Sequence, residues 1–429
     1  MQKYKKRIAD GILQKKISST GAVLIEGAKW CGKTTTASQI AKSVLYMQEP
    51  SQKAQNLTMA EVNPSLLLKG QTPRLIDEWQ LAPKLWDAVR FEVDQRDAFG
   101  QFLLTGSAVP ADMSEISHSG TGRISRILMR PMSLYESDDS NGDVSLKELF
   151  EGHTDIAGQS SIDLNHLAFL ICRGGWPKSV DSSEEIALEQ ALNYYEGIVN
   201  TDISRVDNVQ RDTIKTARLL RSYARSIGSQ AKIPSITQDV YAGEIEENED
   251  ITGKAVTINA YINALKKIFV IEDSPAWNPN LRSKTAIRTS DTRYFTDPST
   301  ATAALGLGSQ DLVADLNTMG LLFENLCIRD LRIYTDALGG SVYHYRDKNG
   351  LECDAVIHLR NGLYGLIEVK LGGDKLIEEG VKTLEKLAKS IDITKMKKPS
   401  FKMVLTGVGS YAYKRKDGIL IVPIGCLKD

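Results

Sequence analysis

The sequence predicts an α/β fold in successive units: a parallel-sheet unit first, a helical unit in the middle and a mixed α/β unit at the carboxyl end. From residue 20 to 135, short apolar runs alternate with helical patterns, as they do in a parallel sheet. From about 166 to 270, apolar residues recur at spacings of three and four, the period of a helix. Strand-like runs return after residue 310.

Length and composition agree with several units. The 429 residues exceed one ordinary core, and about 150 residues per domain suggests roughly three domains. Hydrophobic residues at 42% and charged residues at 25% are typical of a soluble globular protein. We expect a parallel-sheet domain at 1–135, an insertion with a helical lid at 136–205, a helical domain at 206–290 and the tail at 291–429.

Charge, cysteines and hydropathy exclude several classes of protein. The net charge of −1 gives no reason of its own to expect nucleic acid, so such binding would need local patches. The five cysteines are scattered without a C-x-x-C pair, which indicates neither a disulfide framework nor a zinc site. No apolar segment follows the basic amino terminus and no run of about eighteen apolar residues occurs, so we expect no export signal, no membrane span and a cytoplasmic location.

The parallel-sheet unit contains five apolar runs that we expect to be strands. They are AVLIE (22–26), SVLYM (43–47), PRLIDE (73–78), QFLLTG (101–106) and RISRILMRPMS (123–133). Residues 136 to 165 are rich in Ser, Asp and Gly, so we expect a loop or insertion that closes this unit.

A phosphate-binding loop follows the first of these strands. Residues 27–34, GAKWCGKT, match G-x-x-x-x-G-K-[ST] and precede a helical segment. Glycines allow backbone amides to close around phosphates, Lys33 would reach the β and γ phosphates of ATP, and the Thr34 hydroxyl would bind Mg²⁺. We expect the nucleotide to contact Gly27, Ala28, Cys31, Gly32, Lys33, Thr34 and Thr35.

Two later strands carry polar groups that ATP hydrolysis needs beside such a loop. PRLIDE ends in Asp77, expected to hold Mg²⁺ through a bound water, and in Glu78, expected to polarise the attacking water. QFLLTGS ends in Thr105 and Ser107, where a polar group would sense the γ-phosphate. An Asp-Glu pair alone is also what a solvated strand end contains, but its position about fifty residues after the loop favours catalysis.

Four stretches resemble the AAA-superfamily ATPases of bacteria and archaea that carry a carboxyl-terminal domain of unknown function: AVLIEGAKWCGKTT, RLIDEWQ, FLLTGS and GTGRISRILMRPMSLYE. GGWP (174–177), YFTDPSTATAALG (294–306) and ECDAVI…LIEVK also resemble that family, so the resemblance covers nearly the whole chain. Trp30 and Cys31 depart from it without replacing a phosphate-contacting group. The resemblance implies binding and hydrolysis of ATP with Mg²⁺.

AAA enzymes commonly work as rings in which a neighbour's arginine reaches the γ-phosphate, so the resemblance also implies a homo-oligomer. Arg123, in GTGR, is our candidate for this catalytic arginine finger, with Arg126 behind it; the alternative is an ordinary surface arginine. Arg173, just before GGWP, is a candidate for a second sensor within the same chain.

The helical unit has the pattern of a winged helix-turn-helix. Residues 212–240 supply two helices, a third begins near Thr257, and the apolar run IFVIED enters a wing. Lys215, Arg218, Arg221 and Arg225 fall on one face of a helix, which would serve contacts with DNA phosphates. The neighbouring acidic run GEIEENED leaves open that this basic stripe is only solvated or faces acidic neighbours, and winged helices also mediate protein contacts.

Acidic residues and a lysine lie on adjacent strands of the tail. Asp354 and Glu368 could hold one Mg²⁺ while Lys370, two positions after the glutamate, orients water. The region resembles restriction-type nucleases, in which an earlier helix adds a glutamate, and Glu324 has that position. This resemblance predicts a restriction-endonuclease-like fold, and a structural or DNA-docking role is the alternative to cutting.

These patterns together predict a Mg²⁺-dependent AAA-type ATPase that acts on DNA as a ring motor or remodeller, with helicase activity or the processing of branched DNA as particular forms. One alternative is an ATP-gated, metal-dependent DNA nuclease that uses the tail. Another is a nucleotide-dependent switch that binds proteins and has no DNA activity.

Overall fold

The computed structural model describes residues 4–109, 116–244, 250–279 and 290–429. In its first sheet all neighbouring strands are parallel, which confirms the predicted parallel sheet. The strands are β1 (Ala22–Glu26), β2 (Ser43–Tyr46), β3 (Arg74–Asp77), β4 (Phe102–Gly106) and β5 (Ile124–Leu128). In space their order is β2-β3-β4-β1-β5. Strand β4 therefore lies between the strand that precedes the phosphate-binding loop and the strand that ends in Asp77.

Helices cover both faces of this sheet because both faces are apolar. The helices are α1 (Ile8–Ile17), α2 (Lys33–Ser38), α3 (Lys53–Val62), α4 (Pro64–Leu67) and α5 (Lys84–Arg96). Val23 and Ile25 of β1 pack with α1 and α2, whereas Ala22 and Leu24 pack with α3, α4 and α5. Successive side chains of a strand point to opposite faces, so a strand covered on both sides reads as one apolar run.

The middle of the chain is helical, as predicted, and contains two short strands, β6 (Val144–Ser145) and β7 (Gly158–Gln159). Helix α9 continues through a π-helical segment, Ile198–Asp202, into α10. The helices are α6 (Leu146–Phe150), α7 (Leu164–Arg173), α8 (Pro177–Val180), α9 (Glu184–Gly197), α10 (Ile203–Arg205), α11 (Thr213–Arg225), α12 (Ile233–Val240), α13 (Thr252–Lys267), α14 (Pro298–Leu305) and α15 (Ser309–Ala314).

Helices α11, α12 and α13 lead into a pair of antiparallel bridges, which join Ile271 to Phe295 and Ser274 to Thr292. Three helices followed by a hairpin is the order of elements in a winged helix, and the winged-helix interpretation stays a prediction. The predicted start of the third helix near Thr257 is wrong, because α13 begins more than one turn earlier. Most of the acidic run GEIEENED, residues 245–249, lies outside the described residues.

The tail forms a seven-stranded sheet with two long helices, α16 (Leu316–Leu338) and α17 (Asp374–Ser390). Six of its strands come from the tail: β8 (Gly340–Arg346), β9 (Glu352–Leu359), β10 (Tyr364–Lys370), β11 (Phe401–Thr406), β12 (Tyr411–Lys414) and β13 (Leu420–Pro423). The seventh strand is β7, and β14 (Leu427–Lys428) lies outside the sheet. The spatial order is β7-β12-β13-β11-β10-β9-β8. None of the described helices combines the length and the apolar character that crossing a lipid bilayer requires.

The segment 136–165 contains strands that the prediction of a loop missed. Strand β7 pairs with β12 at the edge of the tail's sheet, and β6 pairs with β14. The hydroxyl of Ser140 donates to the carbonyl of Leu427 at 2.8 Å. Strands of two residues leave no periodic signal, and their partners lie near the other end of the chain, so composition alone indicated a loop.

Residues 292–299, which we call the strap, run from the hairpin along helix α16. The hydroxyl of Tyr294 donates to the carboxylate of Glu324. The amide side chain of Asn325 binds both backbone groups of Phe295, at 2.8 Å and 3.0 Å. The strap and the helix are therefore joined by consecutive side chains of one helical turn.

The strap also holds the GGWP segment. Asp297 accepts hydrogen bonds from Arg329, at 2.9 Å, and from the backbone amide of Gly175, at 2.9 Å. The indole of Trp176 donates to the hydroxyl of Ser299 at 2.9 Å. A Cβ added at Gly174, whose φ is +70°, would lie 2.3 Å from a carboxylate oxygen of Asp297, so the absence of a side chain at Gly174 allows close contact with the strap.

The Asp297–Arg329 pair should be one of the stability-determining contacts of the protein. Both side chains are fully buried, at 1% exposure or less, and removing one partner of a buried ion pair costs about 3–5 kcal/mol. We therefore expect Asp297→Ala to lower the midpoint of thermal unfolding strongly. Glu61→Ala, which removes an exposed partner of Lys84, should leave the midpoint nearly unchanged; equal effects of the two changes would contradict the assignment.

Candidate functional site

The phosphate-binding loop has the backbone that its sequence motif predicts. Gly27 and Gly32 have φ of 150° and 100°, values that glycine adopts readily. A Cβ on Gly27 would lie 2.0 Å from the carbonyl oxygen of Met129. The ammonium of Lys33 lies inside the loop and donates to the carbonyls of Gly27, at 2.9 Å, and Ala28, at 2.7 Å. The loop thus keeps Lys33 where a phosphate can replace backbone carbonyls as its partner.

Asp77 lies at the carboxyl end of β3, beside the loop. Its Oδ1 accepts hydrogen bonds from the hydroxyls of Thr34, at 2.6 Å, and Thr105, at 2.7 Å. The Asp77 side chain is buried. A threonine hydroxyl beside a buried carboxylate is a set of oxygen donors that suits Mg²⁺, which Thr34 and Asp77 would hold.

Glu78 has a left-handed backbone, with φ of 58° and ψ of 47°, which turns it away from the strand. Its Oε2 accepts from the hydroxyl of Ser107 at 2.9 Å and from the amide of Gln80. The structure therefore brings Ser107 to Glu78, and Thr105 to Asp77. Sequence reasoning missed Gln80, although it lies only two positions after the glutamate.

Lys33, Thr34, Glu78, Gln80 and Ser107 face one cavity of about 760 Å³ between the first sheet and the helical unit, and Asp77 lies behind Thr34. Gln48 also lines it. The other lining residues come from the loop (Lys29, Trp30, Gly32, Lys33, Thr34 and Thr35), from the ends of β3 and β4 (Glu78, Gln80, Leu81, Ser107, Ala108 and Val109) and from the helical unit (Pro177, Lys178, Asp202, Arg205, Val206, Asn208 and Ile268). The volume is in the range of small-molecule sites.

The side chain of Cys31, one of the predicted nucleotide contacts, does not line the cavity. It is fully buried, and its thiol donates to the carbonyl of Met129 at 3.2 Å. Gly27 and Ala28 contribute through their carbonyls to Lys33 rather than to the cavity wall.

The helical unit forms the second wall of the cavity. Lys29 of the loop makes an ion pair with Asp202 at 2.5 Å, and Trp30 packs on Tyr194 with ring centroids 5.9 Å apart. Arg205 projects into the same cavity. Sequence reasoning missed Arg205, because nothing in its local pattern distinguishes it from a solvated cation on a helix.

The three arginines considered for a role in ATP hydrolysis do not line this cavity. Arg123 pairs with Asp94 at 2.8 Å, and Arg126 lies 3.3 Å from Glu26. Because an arginine finger acts on the neighbouring copy, the role of Arg123 stays a prediction. Arg173 is buried and pairs with Asp139 at 2.6 Å, so the role of a sensor within the same chain does not fit its position.

A second, smaller cavity of about 190 Å³ adjoins the first and shares Gly32, Thr35, Pro177 and Lys178 with it. Tyr4 and Met132 line it together with the charged side chains of Lys5, Arg7 and Asp181. The hydroxyl of Tyr4 lies 2.9 Å from the hydroxyl of Thr36, the residue that follows the shared Thr35.

The carboxylates of the tail converge as predicted. The ammonium of Lys370 lies 2.7 Å from Glu368 and 3.2 Å from Asp354. Asp354 also accepts from the backbone amide of Val369 at 2.7 Å. Glu324, on α16, interacts with the charges of Asp354 and Lys370, and its carboxylate accepts a hydrogen bond from the hydroxyl of Tyr294 of the strap. The strand pattern had singled out Asp354, Glu368 and Lys370, and the resemblance to restriction-type nucleases had added Glu324; the fold places these side chains in one cluster.

The electrostatics of this cluster are those of crowded, buried acids. Burial, together with the charge of Asp354, raises the pKa of Glu324 and of Glu368 to about 8 in each case. Burial opposes the charge of Lys370, but the attraction of Asp354 and Glu368 outweighs it and raises the pKa of the lysine. Within the described part of the chain, no three His, Cys, Asp or Glu side chains form a group arranged to hold a metal ion. Lys370 lies between the two strand carboxylates instead.

The basic stripe on α11 is partly neutralised. Arg218 pairs with Glu244 at 2.8 Å, and Lys215 lies 3.9 Å from the same carboxylate. Arg221 and Arg225 are exposed. Half of the stripe therefore faces an acidic neighbour, and the other half faces solvent.

The raised pKa of Glu368 predicts a pH dependence of stability. The pKa of Glu368 is ordinarily 4.5 and is about 8 in the folded protein. The contribution of this side chain to the stability of the fold is therefore fully present at a pH below its ordinary pKa, and it is lost as the pH rises through its folded pKa. We expect the stability of Glu368→Gln relative to the wild type to increase as the pH rises from about 5 to about 9. Denaturation midpoints across this range would show it, with Glu378→Gln at an exposed site as control. Parallel curves for the wild type and Glu368→Gln would contradict the prediction.

Three family models match different parts of the chain. A model described as an AAA domain matches residues 19–137. Two others, both domains of unknown function, match residues 164–311 (DUF8612) and 319–427 (DUF4143).

Full-length relatives and solved structures add distant similarities. Two uncharacterized proteins, from Mycobacterium bovis and Mycobacterium tuberculosis, are each 22% identical to the chain over 367 residues, which is 85% of this chain and 74% of theirs. A Walker-type ATPase of Pyrococcus abyssi is 15% identical with a TM-score of 0.41, covering 70% of this chain and 96% of that one. A signal transduction ATPase with a tetratricopeptide repeat sensor, from Pyrococcus horikoshii, is 12% identical with a TM-score of 0.25, covering 79% and 53%.

Neither solved structure reaches a TM-score of 0.5, so these similarities do not establish a shared arrangement of the whole chain. The match to the AAA domain coincides with the five-stranded parallel sheet and with the phosphate-binding loop. Residues 19–137 accordingly form a parallel-sheet, P-loop ATPase-like domain that is similar to AAA domains.

Proposed function

We propose that the protein hydrolyses ATP with Mg²⁺ in the cavity between the first sheet and the helical unit. The observation that carries this proposal is the convergence of Lys33, the Thr34–Asp77 pair and Glu78 at one cavity. These are the groups that charge neutralisation and water activation require in phosphoryl transfer.

The residues have distinct roles in this reaction. Lys33 binds the β and γ phosphates, and the Thr34 hydroxyl with Asp77 would hold Mg²⁺, which would supply neutralisation of phosphate charge. Glu78 takes a proton from water as the water oxygen forms a bond to the γ-phosphorus. The bond between that phosphorus and the bridging oxygen breaks, and ADP leaves with the negative charge that Lys33 stabilises.

The smaller adjoining cavity is our proposed site for the adenine base. It shares loop residues with the phosphate site and has an apolar wall made by Met132 and Pro177, with the ring of Tyr4 beside them. Flat bases bind well against apolar and aromatic side chains.

The biological substrate that we propose for this ATPase is DNA, acted on by a ring of identical subunits as a motor or remodeller. The order of elements from α11 to the hairpin and the exposed cations Arg221 and Arg225 support contacts with phosphates. In the ring, Arg123 would leave Asp94 and reach the γ-phosphate of the neighbouring copy.

A second proposed function is metal-dependent cutting of DNA by the tail. The clustering of Asp354, Glu368, Lys370 and Glu324 favours it. Metal binding between the two strand carboxylates would require Lys370 to move from its present position, where it could then orient the attacking water.

Two substitutions test ATP hydrolysis. We expect Lys33→Ala to abolish nucleotide binding or turnover, because the phosphates lose their main cation. We expect Glu78→Gln to bind ATP but to hydrolyse it at least about 100-fold more slowly, because the amide cannot accept the proton. Steady-state phosphate release and equilibrium nucleotide binding measure both effects. The exposed Lys69→Ala is the control, and wild-type turnover in either site variant would remove the assignment.

One set of DNA substrates separates the proposals about DNA. Duplex, single-stranded and four-way-junction DNA are added with ATP and with Mg²⁺ or Mn²⁺, and both phosphate release and strand nicking are measured. A DNA motor should hydrolyse ATP faster with one of these forms. A nuclease should nick DNA in a way that Glu368→Gln abolishes. Slow turnover with no response to any DNA would instead support the nucleotide-dependent protein switch.

A further inference from the structure

We propose that Gln80 is a positioning residue for ATP hydrolysis: it holds Glu78 in the orientation of a general base and accepts a hydrogen bond from the attacking water. This inference rests on the proposed ATPase function and adds a residue to its catalytic machinery. Gln80 lines the same cavity as Lys33 and Glu78.

The first argument is how the carboxylate of Glu78 is held. The amide of Gln80 and the hydroxyl of Ser107 both donate to Oε2 of Glu78. Two donors on one oxygen fix the plane of the carboxylate and leave the other oxygen, Oε1, available to accept from water. A general base has to be held at hydrogen-bond distance from the proton that it removes.

The second argument is that the backbone is shaped to bring Gln80 back to Glu78. Glu78 has left-handed backbone angles and precedes a single 3₁₀ turn, Trp79–Leu81, whose Leu81 amide donates to the carbonyl of Glu78 at 3.1 Å. A left-handed conformation is uncommon for a residue other than glycine and is often found at functional sites. A Cβ at Gly106 would lie 2.9 Å from Oε1 of Gln80, so the end of β4 leaves room for the amide.

The third argument is the amide oxygen of Gln80. Its Oε1 is buried and has no hydrogen-bond partner among the residues that the structure describes. Buried polar side-chain atoms usually have a partner. Because the amide nitrogen of Gln80 donates to Glu78, this unpaired acceptor lies close to the general base, and it is assigned to a water molecule that gives one hydrogen to each.

In this arrangement the water oxygen bonds to the γ-phosphorus and one of its hydrogens passes to Glu78 as a proton. The other hydrogen stays on the oxygen, which becomes part of the released phosphate, and Gln80 holds it without taking it. Gln80 therefore transfers no proton, and its contribution is orientation.

Replacing Gln80 tests this inference through a division between kcat and KM. We expect Gln80→Met, which keeps the length of the side chain, to lower kcat by about 10- to 100-fold. The KM for ATP and the equilibrium binding of ATP should change by less than about threefold, because Gln80 is assigned to the water rather than to the phosphates. Gln55→Met, at an exposed glutamine outside the cavity, should leave both parameters unchanged.

A second variant perturbs the amide of Gln80 through a substitution at a neighbouring residue. Gly106→Ala would push on the amide oxygen of Gln80 and should reproduce the loss of kcat with ATP binding retained. It decides the question if Gln80→Met does not fold. The inference is overturned if both folded variants keep kcat within about twofold of the wild type, or if the loss lies in ATP binding. Those results would leave ATP hydrolysis itself in place, whereas an inactive wild type would refute the proposed function.

Discussion

A buried ionic cluster around Arg329 is the contact on which the arrangement of the units depends. Arg329 lies 2.9 Å from Asp297 of the strap and 2.8 Å from Asp330 on its own helix. Asp330 in turn accepts from the backbone amide of Leu134, at the end of the first unit, at 2.9 Å. Asp297 accepts from Gly175 of the lid. One guanidinium with its two carboxylates therefore joins the first unit, the lid, the strap and the tail.

Burial has an energetic consequence within this cluster. It raises the pKa of Asp330 to about 6, even though Arg329 attracts the charged form. In a second ion-pair cluster between these units, the buried charges are better compensated, because Arg130 binds both Glu272 and Asp336 at 2.6 Å. The pKa of Glu272 is lowered to about 2, since the attraction of Arg130 and Arg332 outweighs burial. The interfaces are thus held by paired charges that would be costly to separate one at a time.

Contacts through the strap connect the phosphate-binding loop with the carboxylate cluster of the tail. Trp30 of the loop packs on Tyr194, which packs on Trp176 with ring centroids 4.1 Å apart. Trp176 donates to Ser299 of the strap. At the other end of the strap, Tyr294 binds Glu324 in the carboxylate cluster of the tail. GGWP and YFTDPS, which the sequence singled out only by resemblance, are the segments that make these contacts.

Local patterns in the sequence were sufficient for much of the fold and for the centre of the candidate site. The loop, β3 and β4 are identified by short apolar runs that end in polar residues, and Asp77 and Glu78 follow from the order of those strands. Strands β6 and β7 escaped prediction because their partners are distant in sequence. Gln80 and Arg205 escaped because their roles depend on a cavity that only the packed lid completes.

The central claim is that the cavity beside Lys33 and Glu78 catalyses attack of water on the γ-phosphorus of ATP. Hydrolysis in water enriched in oxygen-18, followed by mass spectrometry of both products, tests it most directly. The mechanism predicts one solvent oxygen in the released phosphate and none in ADP. Solvent oxygen in ADP, or no release of phosphate by the folded wild-type protein, would contradict it.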